Sequence, residues 1–185
     1  MTALYVLLGL ILLIVGLWIL MPIFYGVPWR PTQRDRIRKA LQLADLKPDE
    51  IVYDLGAGDG RVLILAACEF RAYGVGIEAG ILQVLFARLM VWFKGVSSKV
   101  RVRRGNFYRT DLREADVIFA YLTSAQAESL QKKLEGQLRK GARVVTIAFD
   151  LPGWRPHAFD REALIFLYRM PPLRGNLASF LDLQE

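Results

Sequence analysis

Cysteine occurs once, at position 68, and histidine once, at position 157, among 185 residues. One thiol excludes a disulfide framework and an all-cysteine zinc site, and one imidazole excludes any metal motif that needs two histidines. Charge is absent from residues 1–29, where only Thr2, Gly9, Gly16, Pro22, Gly26 and Pro28 interrupt an apolar run. There is no internal repeat and no low-complexity segment. Beyond residue 29 the chain is about half apolar, an ordinary globular composition that excludes disorder, collagen, coiled coil and a multi-span membrane protein. Overall, 25 basic residues stand against 18 acidic ones, a formal net charge of +7. One hydrophobic segment and one domain are expected at this length.

Ala3 to Phe24 carries no charge. As a helix it would reach roughly 33 Å, and a bilayer core is about 30 Å thick, so one transmembrane helix is expected. A cleaved signal peptide would need a basic n-region, a shorter apolar stretch and a small-x-small cleavage site, none of which is present. Tyr25 and Trp29 stand where an interfacial aromatic belt would lie, followed by Arg30, Arg34, Arg36, Arg38 and Lys39. Positive residues stay on the cytoplasmic side, so residues 1–29 are expected to be a signal anchor. Residues 30–185 would then be a domain on the cytoplasmic side, or the organellar matrix equivalent. The run Arg30–Lys39 is expected to touch anionic lipid headgroups.

Residues 25–31 form a short linker stiffened by two prolines. Thr32-Gln33-Arg34-Asp35 reads as a capping box that opens a helix with Ile37, Ala40, Leu41 and Ala44 at helical spacing. Strands are expected at Ile51–Asp54, Tyr73–Ile77, Val100–Arg104, Asp116–Leu122 and Ala142–Phe149. Helices are expected at Arg61–Phe70, at Ile81–Phe93 and from Thr123–Gln126 towards Leu138, with final strands at Ala163–Tyr168 and Leu177–Leu181. Strand–helix alternation of this kind gives an α/β fold with a parallel sheet covered on both faces.

Chemistry concentrates in IVYDLGAGDGR, residues 51–61. Glycines between a first strand and a first helix let the backbone turn sharply and approach a ligand at the carboxyl edge of the sheet. Eighteen residues after Gly60, Glu78 ends the second strand, where a carboxylate can accept from both ribose hydroxyls. The third glycine comes one residue too early for a dinucleotide fingerprint, and the phosphate-loop G-K-S/T is missing. An acid-led G-x-G-x-G fits a ligand with an ammonium group and no pyrophosphate, which describes S-adenosylmethionine.

These segments resemble the class I (seven-strand) S-adenosylmethionine-dependent methyltransferases. DLGAGDG resembles their first motif, GVGIE their second, GNF at 105–107 their third and ADVIFAYL at 115–122 their fourth. With NFYRTDL and LPGWRP at 151–156 added, the chain is similar to the archaeal protein-lysine methyltransferase and its mitochondrial membrane-anchored relatives. Those relatives act on the ATP synthase c-subunit and the adenine nucleotide carrier. The resemblance implies a Rossmann-like seven-strand methyltransferase sandwich preceded by one N-terminal transmembrane helix. It also implies that Asp54, Gly56 and Gly58 line the methionine end of the cofactor, Glu78 the ribose, and Asn106 and Phe107 the adenine. Tyr121 and Leu122 would lie beside the transferred methyl group. Many class members carry Asp where this chain has Asn106, a change that keeps an acceptor and adds a donor.

The expected activity is therefore methylation of lysine side chains of a membrane-associated protein. Two alternatives are a methyltransferase for a small lipophilic molecule (lipid or quinone) and a catalytically silent membrane-tethered cofactor-binding module. The intact glycine loop, Glu78 and Asn106-Phe107 argue against the silent module. Lys99, Arg101, Arg103, Arg104 and Arg109 form a second basic cluster, but no interleaved aromatics accompany it, which argues against nucleic acid. Cys68 is expected to be a buried small hydrophobe and His157 a surface residue.

Overall fold

The computed structural model describes residues 2–24 and 32–182. Helix α1 (Thr2–Phe24) is followed by α2 (Arg34–Leu43), and then strands and helices alternate: β1 (Ile51–Leu55), α3 (Arg61–Phe70), β2 (Tyr73–Glu78), α4 (Ile81–Phe93) and β3 (Val100–Arg104). A 3-10 turn at Phe107–Arg109 replaces a crossover helix before β4 (Val117–Ala120), and a second such turn at Ser124–Gln126 leads into α5 (Ala127–Gln137) and β5 (Arg143–Ile147). Four short strands follow: β6 (Trp154–Arg155), β7 (Ala158–Asp160), β8 (Ile165–Arg169) and β9 (Leu173–Arg174), before α6 (Leu177–Leu181).

Seven strands form one sheet in the order β3-β2-β1-β4-β5-β8-β7, and β6 pairs with β9 in a separate ribbon. Strands β1 to β5 are parallel; β8 is antiparallel to both neighbours. The α/β class and the seven-strand Rossmann-like arrangement follow. Every residue of β4 and β5 is buried, as expected for strands covered on both faces. On one face Ile37 and Leu41 of α2, Leu63 of α3 and Val84 of α4 share a core with Val52 and Phe119. On the other, Leu130 and Leu134 of α5 pack with Tyr53, Leu55, Trp154 and Tyr168. Strand order reverses between β1, whose next strand lies to one side, and β4 on its other side, and such a switch point opens a crevice at the carboxyl ends.

Three sequence expectations are corrected. Leu177–Leu181 is helical, because the Asn176 side-chain oxygen Oδ1 accepts from the Ser179 amide and caps a turn that a short apolar run alone does not specify. The sheet is completed instead by β7, whose residues Ala158–Asp160 are only half-buried and carry no strong pattern. Thr32 makes no capping box; Gln33 takes the N-cap of α2 without a side-chain bond, and the Thr32 carbonyl accepts from Arg61.

In α1 the described side chains are those of residues 2, 4–13 and 16, and residues 4–13 are exposed. Among the described residues, no helix is long and apolar enough to cross a membrane. The transmembrane helix expected over Ala3–Phe24 therefore lacks support in the structure. The linker at 25–31, with Tyr25, Trp29 and Arg30, lies outside the described residues.

Helix α2 is fastened to the sheet by Arg143 at the start of β5. Its guanidinium donates to the carbonyls of Ala44 (2.9 Å) and Asp45 (2.8 Å), which close α2, and to Glu50 (2.5 Å). Arg143→Met should leave two carbonyls and a half-buried carboxylate without their donor, and lower stability by about 3–5 kcal/mol in urea unfolding. The double variant Arg143→Met/Glu50→Met should recover part of that loss.

Candidate cofactor-binding cleft

The loop after β1 folds as it does because three glycines take left-handed backbone angles, with φ of 93° at Gly56, 53° at Gly58 and 77° at Gly60. Gly56 and Ala57 donate to the carbonyl of Ile77 at 2.9 and 3.1 Å, pinning the loop against the end of β2. Glu78 completes the frame: one carboxylate oxygen accepts from the Gly58 amide and the other from the Gly80 amide, both at 2.9 Å. At Gly76 a Cβ would stand 2.6 Å from Leu63 and 2.7 Å from Ala57, so glycine there lets α3 and the loop close onto β2.

Asp54 is the penultimate residue of β1 and is 3% exposed. Burial, then the charges of Glu78 and Asp59, push its carboxyl well above the ordinary carboxylate range. Asp59 has its own partner in Arg61, at 2.5 Å. The cleft therefore holds a concentration of acid whose ionised form lacks a cation at Asp54.

The cleft has a volume of about 720 Å³ and brings together every residue singled out from the sequence: Asp54, Gly56, Gly58, Glu78, Asn106, Phe107, Tyr121 and Leu122. Asn106 caps the 3-10 turn by accepting from the Tyr108 amide at 2.9 Å, which leaves its NH₂ group free to donate to a ring edge. Phe107 and Tyr108 lie with ring centroids 4.4 Å apart on the same wall. Tyr121 and Leu122 follow the last residue of β4; Tyr121 lines the cleft instead of filling the core.

Three features escaped the sequence. Gln83 on α4 is 4% exposed, lines the cleft, and its carbonyl oxygen has no hydrogen-bond partner, an acceptor left for a ligand. Thr32 also lines the cleft. Arg36 of α2 holds its guanidinium 5.7 Å from the centre of the Tyr121 ring while donating to the Ala163 carbonyl at 2.6 Å. Each depends on tertiary contact; only a glutamine on the otherwise apolar face of α4 could have signalled Gln83. Cys68, expected to be buried, is exposed, since it falls on the outer face of α3. His157 is exposed and does not line the cleft. Of the second basic cluster only Arg104 reaches it.

Residues 54–158 match the family model of the ANTKMT methyltransferase domain. A protein-lysine N-methyltransferase of Saccharolobus islandicus is 38% identical over 131 residues, 70% of this chain and 81% of the relative. The adenine nucleotide translocase lysine N-methyltransferase of Mus musculus is 33% identical over 76% of this chain, which spans 61% of that relative. Among solved structures, an RNA methyltransferase from Salinibacter ruber in complex with S-adenosyl-L-homocysteine is 34% identical, with a TM-score of 0.76. That match covers 80% of this chain and 99% of the other.

Asp54→Asn tests the electrostatic reading. A carboxyl whose folded pKa lies above its unfolded value stabilises the fold only while protonated; that contribution is lost as pH rises through the raised value. The ligand-free variant should therefore melt above the parent at about pH 7, with the gap closing towards about pH 4, the ordinary carboxylate range. Its affinity for S-adenosylmethionine in calorimetric titration should fall by about 1.5–3 kcal/mol, the value of one charge-assisted contact.

Proposed function

The chain belongs to the family of the ANTKMT methyltransferase domain and is an S-adenosylmethionine-dependent methyltransferase, and on that premise we propose that it methylates lysine side chains of a membrane-associated protein. The carrying observation is the position of Thr32: it lines the cleft, with only residues 25–31 between it and the apolar helix α1. At no more than roughly 3.5 Å per residue, the seven-residue connection holds the cleft within about 25–30 Å of that helix. The lysine acceptor is supported by the two relatives described above, both lysine N-methyltransferases.

The residues present fit the cofactor. Its ammonium group suits the acid concentrated at Asp54, the nucleoside edge suits the free NH₂ of Asn106, and the volume is within the range of small-molecule sites. Asp54, Gly56 and Gly58 would hold the methionine end, Glu78 the ribose, and Asn106 with Phe107 the adenine. Bound there, S-adenosylmethionine supplies a methyl carbon made electrophilic by the sulfonium charge.

The chain's own task is to prepare the amine. Tyr121, Leu122, Phe107 and Tyr108 all line the cleft, and such a lining would strip water from an entering lysine and so favour its neutral form. The Arg36 guanidinium near the Tyr121 ring adds positive charge, which acts in the same direction. What remains is orientation, which a fixed pocket supplies by lowering the entropic cost of reaction.

Residues 1–29 would act as the single-pass anchor, with the domain on the cytoplasmic side or its organellar matrix equivalent. The charge-free run and the basic residues from Arg30 onward support this. Within the domain Arg38 binds Glu69 at 2.7 and 2.8 Å, Arg36 binds Ala163, and Lys39 lies 3.9 and 3.8 Å from Asp160 and Glu162. Headgroup contact from α2 would thus fall chiefly to the exposed Arg34.

Deleting residues 1–29 should spare methylation of a free lysine peptide and reduce labelling of a membrane protein by about 10²-fold, through lost effective concentration. Membranes incubated with methyl-labelled cofactor should carry label in the protein fraction. Label in the lipid fraction would overturn the lysine reading; equal labelling with and without residues 1–29 would overturn the anchor.

A further inference from the structure

Helix α4 has two unlike apolar faces. Gln83, Val84, Ala87 and Val91 are buried against the sheet. The opposite face carries Ile81, Leu85, Leu89, Trp92 and Phe93, spaced so that they form one stripe. Leu85 and Leu89 are 55% and 56% exposed, and Trp92 and Phe93 are 70% and 74% exposed. A contiguous patch of large exposed apolar side chains marks a binding surface. Residues 4–13 of α1 are themselves exposed, so their side chains do not cover it.

The charges around the stripe indicate what does. From Ala79 to Thr110 the chain contains no acidic residue. Arg88 lies on the helix and Lys94 directly follows it; Arg104 leaves β3 on the side of the buried Val100 and Val102, the face that α4 covers, while Arg101 and Arg103 alternate with them and belong to the other face of the sheet. Arg88 is braced by donating to the Val102 carbonyl at 2.9 Å. An apolar helix face ending in Trp and Phe and rimmed by Lys and Arg has the composition of an interfacial helix, which buries its apolar side at the headgroup–acyl boundary of an anionic membrane.

We infer that the outer face of α4 docks on an anionic bilayer surface, with Ile81, Leu85, Leu89, Trp92 and Phe93 in the interfacial layer and the flanking basic residues among the headgroups. The contact begins beside the cleft, because Ile81 follows Gly80 and Gly80 is part of the cleft wall. The docked helix therefore presents the opening close to the lipid surface. This inference rests on the membrane reading proposed above and adds a second point of attachment, independent of residues 1–29.

The test uses the full chain with Cys68→Ser and Leu89→Cys, labelled at position 89 with an environment-sensitive fluorophore, and a control with Cys68→Ser and Lys132→Cys. Lys132 is exposed on α5, across the sheet from α4. With phosphatidylcholine–phosphatidylglycerol vesicles, emission at position 89 should rise severalfold and be quenched by shallowly brominated lipids, while the control stays unchanged. On phosphatidylcholine alone the rise should be smaller. Both variants should bind S-adenosylmethionine like the parent, which reports an intact fold. If the protein floats with the vesicles but position 89 stays in water, the docking face is overturned and the membrane reading survives. If the protein does not float, both fail. If position 89 is shielded without vesicles and the mass is that of a dimer, the occupant is a second copy and the inference is overturned.

Discussion

A carboxyl group buried near the end of β1, with no cationic partner among the described residues, is the constraint around which the rest of the site is arranged. Asp54 is 3% exposed and has Glu78 and Asp59 as its acidic neighbours. A folded protein that concentrates acid in this way is less stable at neutral pH than one with an apolar or amide side chain there. The arrangement becomes favourable once a cationic ligand enters. Its cost is offset by the sheet, since β1 lies between β2 and β4 and is hydrogen-bonded along both edges. The glycine loop and Glu78 then form a rim: the Ile77 carbonyl accepts from Gly56 and Ala57, and the Glu78 carboxylate joins Gly58 to Gly80.

Three arginines bind the N-terminal part of the domain to the sheet and its loops. Arg143 caps the end of α2, Arg61 holds the Thr32 carbonyl at 3.0 Å, and Arg36 reaches from α2 over Tyr121. Helix α2 thus forms part of the cleft's architecture as well as connecting it to what precedes. A change in how residues 25–31 are held would be felt at Thr32 and Arg36, both in contact with the site. The coupling is physical, through hydrogen bonds to backbone carbonyls that cannot shift without moving the chain.

The parallel half of the fold is legible in the sequence because its strands are short segments that each carry at least two Val or Ile residues, and its helices carry a periodic buried face. Asp54, Glu78 and the glycine loop are equally legible, since their chemistry follows from spacing along two consecutive strand–helix units. Legibility ends where long-range contact decides. The run Leu177–Leu181 suits strand or helix, and a single bond from the Ser179 amide to Asn176 selects helix. Strand β7 exists because β8 offers an edge for it to pair with, not because of its own pattern. Arg36 sits eighty-five residues before Tyr121, and no local rule joins the two.

Attachment by residues 1–29 and by α4 would together do more than either alone. A single point of attachment would limit distance without fixing orientation. A second contact along α4, about 20 Å long at 1.5 Å per residue, removes that freedom by fixing one axis parallel to the surface. Effective concentration then rises because wrong orientations are excluded, in addition to the gain from proximity. The same fixation limits the substrate: a lysine far above the membrane would no longer reach Tyr121, while one at headgroup depth would. Selectivity for a membrane-embedded acceptor would thus come from the orientation of the enzyme as well as from the shape of its pocket, and orientation would let a small domain with a plain aromatic wall discriminate among exposed lysines.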